Sequence, residues 1–547
     1  MAKKILFGKE GRKELKVGID AVGDTIKPTI GPRGRNVIFD KGYGGPVITG
    51  DGGSISREIV LEDPIQNIGA NLEKEAAQRT NDTAGDGRKT TILLTQAIAT
   101  EGMKLLTPSI IKKVFRLLTL KPFRVNAIGV KSGIDKASKI AIDFLKSIAT
   151  PITSDEGIDK VAIISSKSEE IGKFIAGTIS KLGKDSVITV EESNVVGITS
   201  EISQGLEFDK GFISPYFATD TIRQETELKE SSILVTDLKI GAIEPLVPLM
   251  EAFMNSGKRD LLIVAEDVVG EALQTFIMNK LRGVMSVVCV KAPGFGNRKR
   301  DYLEDIAILT GATLISQDLV SIENAGLEHL GTANRIVVKK DKTTIVGGKG
   351  NEESIKGRIE SIREEVERTE SKHDKLKLEE RMGKLSGGIA VIKIGAATET
   401  ETKYLKLKVE DAINSVKAAL EEGIVPGGGS SLIRASQAIL EAKKMGNYTS
   451  DELLGFDILA KAMEAPLRNI AINCGFGDGT SVVSDVKSMH AGGGFDALNN
   501  IYVENMIESG IIDPLKVERC AVENASSEGG MFLTTEVVMA EKPKNIV

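Results

Sequence analysis

Two short apolar runs, Leu261-Leu-Ile-Val264 and Val287-Val-Cys-Val290, bracket a helix-length segment at 268–282. Runs this short and this apolar read as buried strands, and strand–helix–strand order points to an α/β layer. The texture of the chain changes at about residue 204, where this middle region begins. Before it, residues 9–27, 64–82 and 90–106 carry apolar residues at helical spacing, and Asn36–Phe39 reads as one strand of a hairpin. After it, Ile355, Ile359, Ile362 and Val366 form one apolar stripe. Leu376, Met382 and Leu385 continue the stripe beyond a break near Ser371, so 352–386 is a helical hairpin. A strand at 389–394 and a helix over 403–422 follow. The expected fold class is therefore multidomain, with helical and α/β parts.

At 547 residues the chain is long enough for about three or four domains. Its charge of −6 makes it a poor nucleic-acid binder. Cys289, Cys474 and Cys520 are too far apart and too few for a disulfide framework. His329, His373 and His490 are scattered. Neither set has metal-ligand spacing, and a reducing compartment is expected. No apolar run reaches the ~18 residues of a membrane span, and no leader pattern is recognisable at the start. The expected location is the cytoplasm, with organellar matrix or stroma left open. Residues 107–132 stand out as basic, with Lys112, Lys113, Arg116, Lys121, Arg124 and Lys131 and no acidic residue. They read as a surface insertion or packed hairpin, or else as a membrane-surface or partner helix.

Four local motifs have chemical potential. They are Thr29-Ile30-Gly31-Pro32-Arg33-Gly34, Gly50-Asp51-Gly52-Gly53, the run Asn81 to Thr91 around Asp86-Gly87, and Gly427-Gly428-Gly429 preceded by Asp411 on a helix. In the third, a glycine turn opens a helix whose first N–H groups suit phosphate. An aspartate beside phosphate repels it unless a hard cation such as Mg²⁺ bridges the two. Asp51 and Asp411 are further oxygen ligands or bases. Taken singly, each motif reads as an ordinary turn. Neither GxxxxGK[ST] nor GxGxxG is present.

Taken in order, the motifs resemble the group I chaperonins, the 60-kDa heat-shock family, from about Lys3 to Asn545. The runs Phe208–Phe217, Ala292–Gly296, Gly387–Thr398, Val409–Ala412, Glu464–Arg468, Asn473–Gly475 and Gly510–Pro514 strengthen the likeness. The resemblance implies a helical equatorial domain at 1–147 and 422–547, a small α/β intermediate domain at 148–203 and 390–421, and an α/β apical domain at 204–389. It implies seven-membered rings, single or double, a 10-kDa co-chaperonin and unfolded client proteins as partners. ATP, Mg²⁺ and K⁺ are the implied cofactors, with no nucleic-acid or membrane partner. By position, Thr29, Ile30, Gly31, Pro32 and Gly50 line the phosphate and potassium side. Asp86 ligates Mg²⁺. Gly87, Arg88, Lys89, Thr90, Gly427 and Gly428 line the nucleotide. Asp496, Ala497, Ile511 and Asp513 hold ribose and adenine. Asp51 and Asp411 are the implied catalytic pair that positions the attacking water. Phe212, Tyr216, Phe217, Val247, Met250, Leu273, Ile277 and Met278 match the client-binding positions.

The chain departs from this family at three places. Arg88 and Lys89 stand where the family has two threonines, so ATP binding is expected and normal hydrolysis is open. These cations can bind phosphate, displace potassium or block the pocket. Gly50 and Gly53 replace a lysine and a valine, with an expected loss of rigidity only. The basic stretch near 107–124 is inserted where the family's rings meet, and Gly477 stands in place of the acidic partner of Arg468, so single rings are expected. Two functions follow from the resemblance: an ATP-driven folding machine, or a holdase with impaired turnover. A small-molecule phosphotransferase lacks a substrate-side catalytic set.

Overall fold

The computed structural model describes residues 3–40, 46–106, 125–152, 155–166, 168–182, 187–193, 195–220, 223–294, 296, 298–369, 371–386 and 389–541. The basic insertion at 107–124, with five of its six cations, and Gly388 lie outside the described residues. The chain separates into two compact units. The first comprises Met1–Ser180, Glu192–Gly197 and Ile394–Val547, and the second Lys181–Glu191 and Ile198–Lys393. The three-domain division implied by the resemblance does not follow this boundary, because 181–191, 198–203 and 390–393 of its intermediate domain fall in the second unit.

The first unit is mainly helical. Its helices include Gly8–Ile26, Pro64–Ala84, Arg88–Leu106, Ala127–Ser147, Glu399–Glu422, Ser450–Ala462 and Leu515–Thr534. Leu15, Ile19, Ile65, Leu94, Ile98, Ile134, Phe456 and Phe532 form its main core. Each such fully buried side chain contributes about 1.5–3 kcal/mol. Glycines set how closely the helices approach. A Cβ on Gly18 would lie 1.8 Å from the Gln66 carbonyl oxygen, and one on Gly69 would lie 2.0 Å from that of Leu15. The helices Gly8–Ile26 and Pro64–Ala84 therefore touch backbone to backbone, and alanine at either position would force them apart. A strand at Lys3–Phe7 pairs antiparallel with Val537–Glu541, which joins the two ends of the described chain. The expected hairpin is present as Val37–Phe39 against Val47–Thr49.

The second unit is built on a six-stranded sheet. Its order is Ser286–Lys291, Asp260–Ala265, Glu225–Val235, Gly331–Lys339, Thr343–Gly348, Gly205–Phe208. The first three strands are parallel neighbours, and the rest pair antiparallel. Helix Gly270–Leu281 connects the strands that carry the apolar runs at 261–264 and 287–290, so the strand–helix–strand expectation holds there. The helical hairpin is Glu352–Arg368 and Lys372–Ser386, with Ile362, Val366, Leu378 and Leu385 between its arms. A buried ion cluster ties it down. Asp305 accepts from Arg358 Nε at 2.8 Å and from Arg381 Nε at 2.7 Å and Nη2 at 3.1 Å. Among the described residues, no helix is long and apolar enough to cross a membrane.

Candidate functional site

Asp51, Asp86 and Asp411 come from three distant segments of the first unit and meet at the start of helix Arg88–Leu106. Asp51 caps helix Gly52–Glu58, accepting from Gly53 N–H at 3.2 Å and Ser54 N–H at 2.6 Å. Burial pushes its carboxyl up. The nearby Arg88 guanidinium, 3.9 Å away, and the Ser54 and Gly53 donors outweigh burial and hold it below the ordinary aspartate value. Asp86 accepts from its neighbour Gly87 N–H at 2.6 Å and from Ser415 Oγ at 2.9 Å. Gly85 and Gly87 adopt φ of 78° and 93°, which bends the chain sharply into the helix.

Asp411 lies on helix Glu399–Glu422, one turn before Asn414 and Ser415. Asn414 Nδ2 donates to the Gly85 carbonyl at 3.3 Å. Residues three and four apart share a helix face, so one face of this helix presents Asp411 and secures the Asp86 turn. Burial, then the charges of Asp86 and Asp51, drives Asp411 well above the ordinary carboxylate range, and Arg88 opposes the shift. Two aspartates of one site thus have their acidities pushed apart.

The cations fit by virtue of the glycines facing them. A Cβ on Gly53 would lie 2.5 Å from Arg88 Nη1, and one on Gly52 would lie 2.8 Å from Lys89 Cγ. This corrects the expectation that the extra glycine affects rigidity alone, because Gly53 opens the volume that the Arg88 guanidinium fills. Lys89 Nζ donates to the Thr29 carbonyl at 3.1 Å. Burial pulls Lys89 below the ordinary lysine value, and the charges of Asp51, Asp86 and Asp411 act against that pull. The Arg88 Nε is buried without a hydrogen-bond partner among the described residues.

The second half of the site is a two-stranded sheet, Ile424–Pro426 against Ile512–Pro514, that places Val425 opposite Asp513. Gly427 N–H donates to the Ile511 carbonyl at 2.9 Å, and Gly428 N–H to Asp513 Oδ2 at 2.9 Å. Burial raises Asp513 to about 6. Asp86 adds to the shift, while Gly428 N–H and Glu518 oppose it. Glu518 is driven well above the carboxylate range, first by burial and then by Asp513 and Asp86. A hydrogen bond links the Glu518 and Asp513 carboxyl groups.

The remaining expected residues are placed as follows. Thr29 is buried, and its hydroxyl donates to the Ile26 carbonyl at 2.8 Å, so only its carbonyl faces the cation. Ile30 packs in a small core with Leu93, Leu467 and Ile470. Gly31 has φ of 82°, Pro32 is exposed and Thr90 is half-buried. A side chain on Gly50 would meet Asn36 Oδ1 at 3.0 Å. Asp496 accepts from Leu498 N–H at 2.9 Å and Asn499 N–H at 3.2 Å, so its carboxylate is tied into its own turn. Ala497 is buried beside it. Ser415, Asn414 and Glu518 belong to the site and were missed. The helical spacing of the first two from Asp411 was the available signal.

The expected client-binding set divides by burial. Tyr216 (66% exposed), Val247 (38%) and Met278 (45%) face solvent, and Leu273 and Ile277 are half-buried against the core. Phe212, Phe217 and Met250 are core residues, with Phe217 fully buried. These three pack inside the second unit and are not on its exposed surface. Met254 on helix Val247–Asn255, Leu281 at the end of Gly270–Leu281 and the nearby Val284 are further exposed apolar residues.

In overall architecture this is a chaperonin subunit fold, helical in one unit and α/β in the other. Residues 22–543 match the TCP-1/cpn60 chaperonin family, and the chain belongs to that family. The fold is also similar to a crystal structure of the chaperonin gp146 from the bacteriophage EL 2 (Pseudomonas aeruginosa), solved in the presence of ATP-BeFx. The TM-score is 0.66 at 20% identity, over 98% of this chain and 99% of the other.

Proposed function

We propose that this chain is the subunit of an ATP-hydrolysing chaperonin of the group I type, which captures non-native proteins on the second unit and promotes their folding. The observation that carries this reading is the convergence of Asp51, Asp86 and Asp411 on the N-terminal end of helix Arg88–Leu106, beside the Gly428–Asp513 pair. Family membership supports it, as does the phage chaperonin solved with an ATP analogue.

The residues fit a nucleotide. Free N–H groups at a helix start favour phosphate, and Arg88 brings a guanidinium with an unused buried donor. No group of three or more His, Cys, Asp or Glu suited to a metal exists among the described residues. Mg²⁺ would therefore be held by Asp86 together with phosphate oxygens, a common arrangement for this ion. When bound, it would neutralise phosphate charge. Asp411, with its raised proton affinity, would accept the proton of the attacking water, and Asp51 would stay ionised and orient that water. Asp513 would accept from a ribose hydroxyl. On the side expected to hold potassium, the Lys89 ammonium already donates to the Thr29 carbonyl.

Assembly into seven-membered rings, single or double, capping by a 10-kDa co-chaperonin, and a cytoplasmic location are parts of the same proposal. Electron microscopy of purified particles decides the ring reading. A clear double ring would remove the expectation of single rings.

The decisive experiment is ATP turnover by assembled particles carrying Asp411→Asn. Turnover is expected to fall at least about 100-fold, the scale of a lost general base, with nucleotide binding retained. An unchanged rate would overturn the assignment. One observation favours a second reading, a holdase with poor turnover: Arg88 lies 3.9 Å from Asp51, where it can restrain the catalytic pair. Tight ATP binding by the unmodified protein without turnover would select that reading.

A further inference from the structure

We propose that the ammonium of Lys89 is the resident monovalent cation of this site, so that its nucleotide chemistry does not require potassium. The inference rests on the nucleotide reading above and concerns which cation serves it. Lys89 Nζ sits 3.1 Å from the Thr29 carbonyl oxygen, on the side that the resemblance assigns to phosphate and potassium. The charges acting on it are Asp51, Asp86 and Asp411, the three carboxylates of the site. A carbonyl oxygen in a field of carboxylates is the environment a weakly coordinated +1 ion occupies. A lysine ammonium is a compact +1 charge with three rotatable donors.

The side chain is also built into place. Its stem passes over Gly52, where a Cβ would lie 2.8 Å from Lys89 Cγ and 3.5 Å from Cε. A side chain at position 52 would meet this stem, so glycine there leaves room for the lysine to reach the Thr29 carbonyl. A covalently held cation has no entropy of recruitment from solution. It also cannot be exchanged for sodium or removed by dilution.

The test measures two quantities on assembled particles, in potassium, sodium and N-methylglucamine chloride of equal ionic strength. These are steady-state ATP hydrolysis and, by titration calorimetry, affinity for a non-hydrolysable ATP analogue. For the unmodified protein, both are expected to agree within about twofold across the three salts. Stimulation of either by potassium of about tenfold, or about 1.4 kcal/mol, would overturn the inference. Lys89→Thr supplies a hydroxyl and removes the charge. Its affinity and turnover are expected to drop about tenfold in N-methylglucamine and to recover in potassium. Lys89→Met supplies neither group and is expected to drop without recovery. Should Lys89→Thr fail to assemble, the salt series on the unmodified protein still decides. Potassium-stimulated turnover sinks this inference alone. Absence of nucleotide binding in every salt sinks the nucleotide reading and this inference together.

Discussion

Gly53 and Arg88 share one volume: a Cβ on the glycine would fall 2.5 Å from the arginine Nη1 and 2.8 Å from its Cζ. Both positions depart from the pattern of the family that the chain resembles, and the structure makes them one change. Gly53→Val should therefore destabilise the protein by about 1–3 kcal/mol through overpacking. In an Arg88→Thr background the same substitution should be milder by at least about 1 kcal/mol, because the facing volume is then empty. Denaturant midpoints at fixed protein concentration measure this cycle. Equal effects of Gly53→Val in the two backgrounds would show that the side chains are not coupled.

Asp513 has its acidity set by burial near a value of about 6, and the form that best accepts a ribose hydroxyl is the ionised one. A ligand that prefers the ionised form releases a proton on binding when the pH is below that value. Nucleotide affinity should accordingly fall as pH drops from 7 through about 6, approaching about tenfold per pH unit below it. Calorimetry in two buffers of different ionisation enthalpy should register proton release near pH 6. Flat affinity between pH 5 and 7.5 would remove Asp513 from ribose recognition.

In the second unit, Asp305 is almost fully buried and is the shared acceptor of Arg358 and Arg381. Asp305→Ala leaves two guanidinium groups without their common acceptor, one of them buried. Breaking a buried pair on one side costs about 3–5 kcal/mol, and the loss should loosen the hairpin Glu352–Arg368 and Lys372–Ser386. Hydrogen exchange across residues 352–386 should accelerate ahead of exchange in the six-stranded sheet. Uniform acceleration would mean that the cluster does not hold the hairpin as a local element.

How much of this was legible in the sequence depended on whether the deciding contact was local. The strands at 261–264 and 287–290 and the hairpin at 352–386 carry their own periodicity, and both were read correctly. Asp51, Asp86 and Asp411 looked like ordinary turn or helix residues singly and gained meaning only as an ordered set. The fit of Gly53 to Arg88 has no local signal, because it concerns volumes contributed by separate segments. The pairing of Lys3–Phe7 with Val537–Glu541 is equally invisible, since five residues with two lysines do not specify a partner at the far end of a chain. Phe217 and Tyr216 are adjacent aromatic residues, and only the fold assigns one to the core and the other to solvent.

That distinction governs what capture of unfolded chains should depend on. Tyr216, Val247 and Met278 expose apolar surface that an unfolded segment can cover, and the flexible methionine suits varied partners. Phe217 makes its contribution within the core. Tyr216→Ser with Met278→Ser should leave thermal stability nearly unchanged, as exposed substitutions do, while suppression of aggregation of a denatured test protein falls severalfold. Phe217→Ala should instead destabilise the second unit by about 3–5 kcal/mol. Any loss of capture in that variant should appear only together with the loss of structure. Light scattering during dilution of the test protein, read beside circular dichroism of each variant, separates the two effects. Full protection by the double serine variant would mean that clients are held elsewhere.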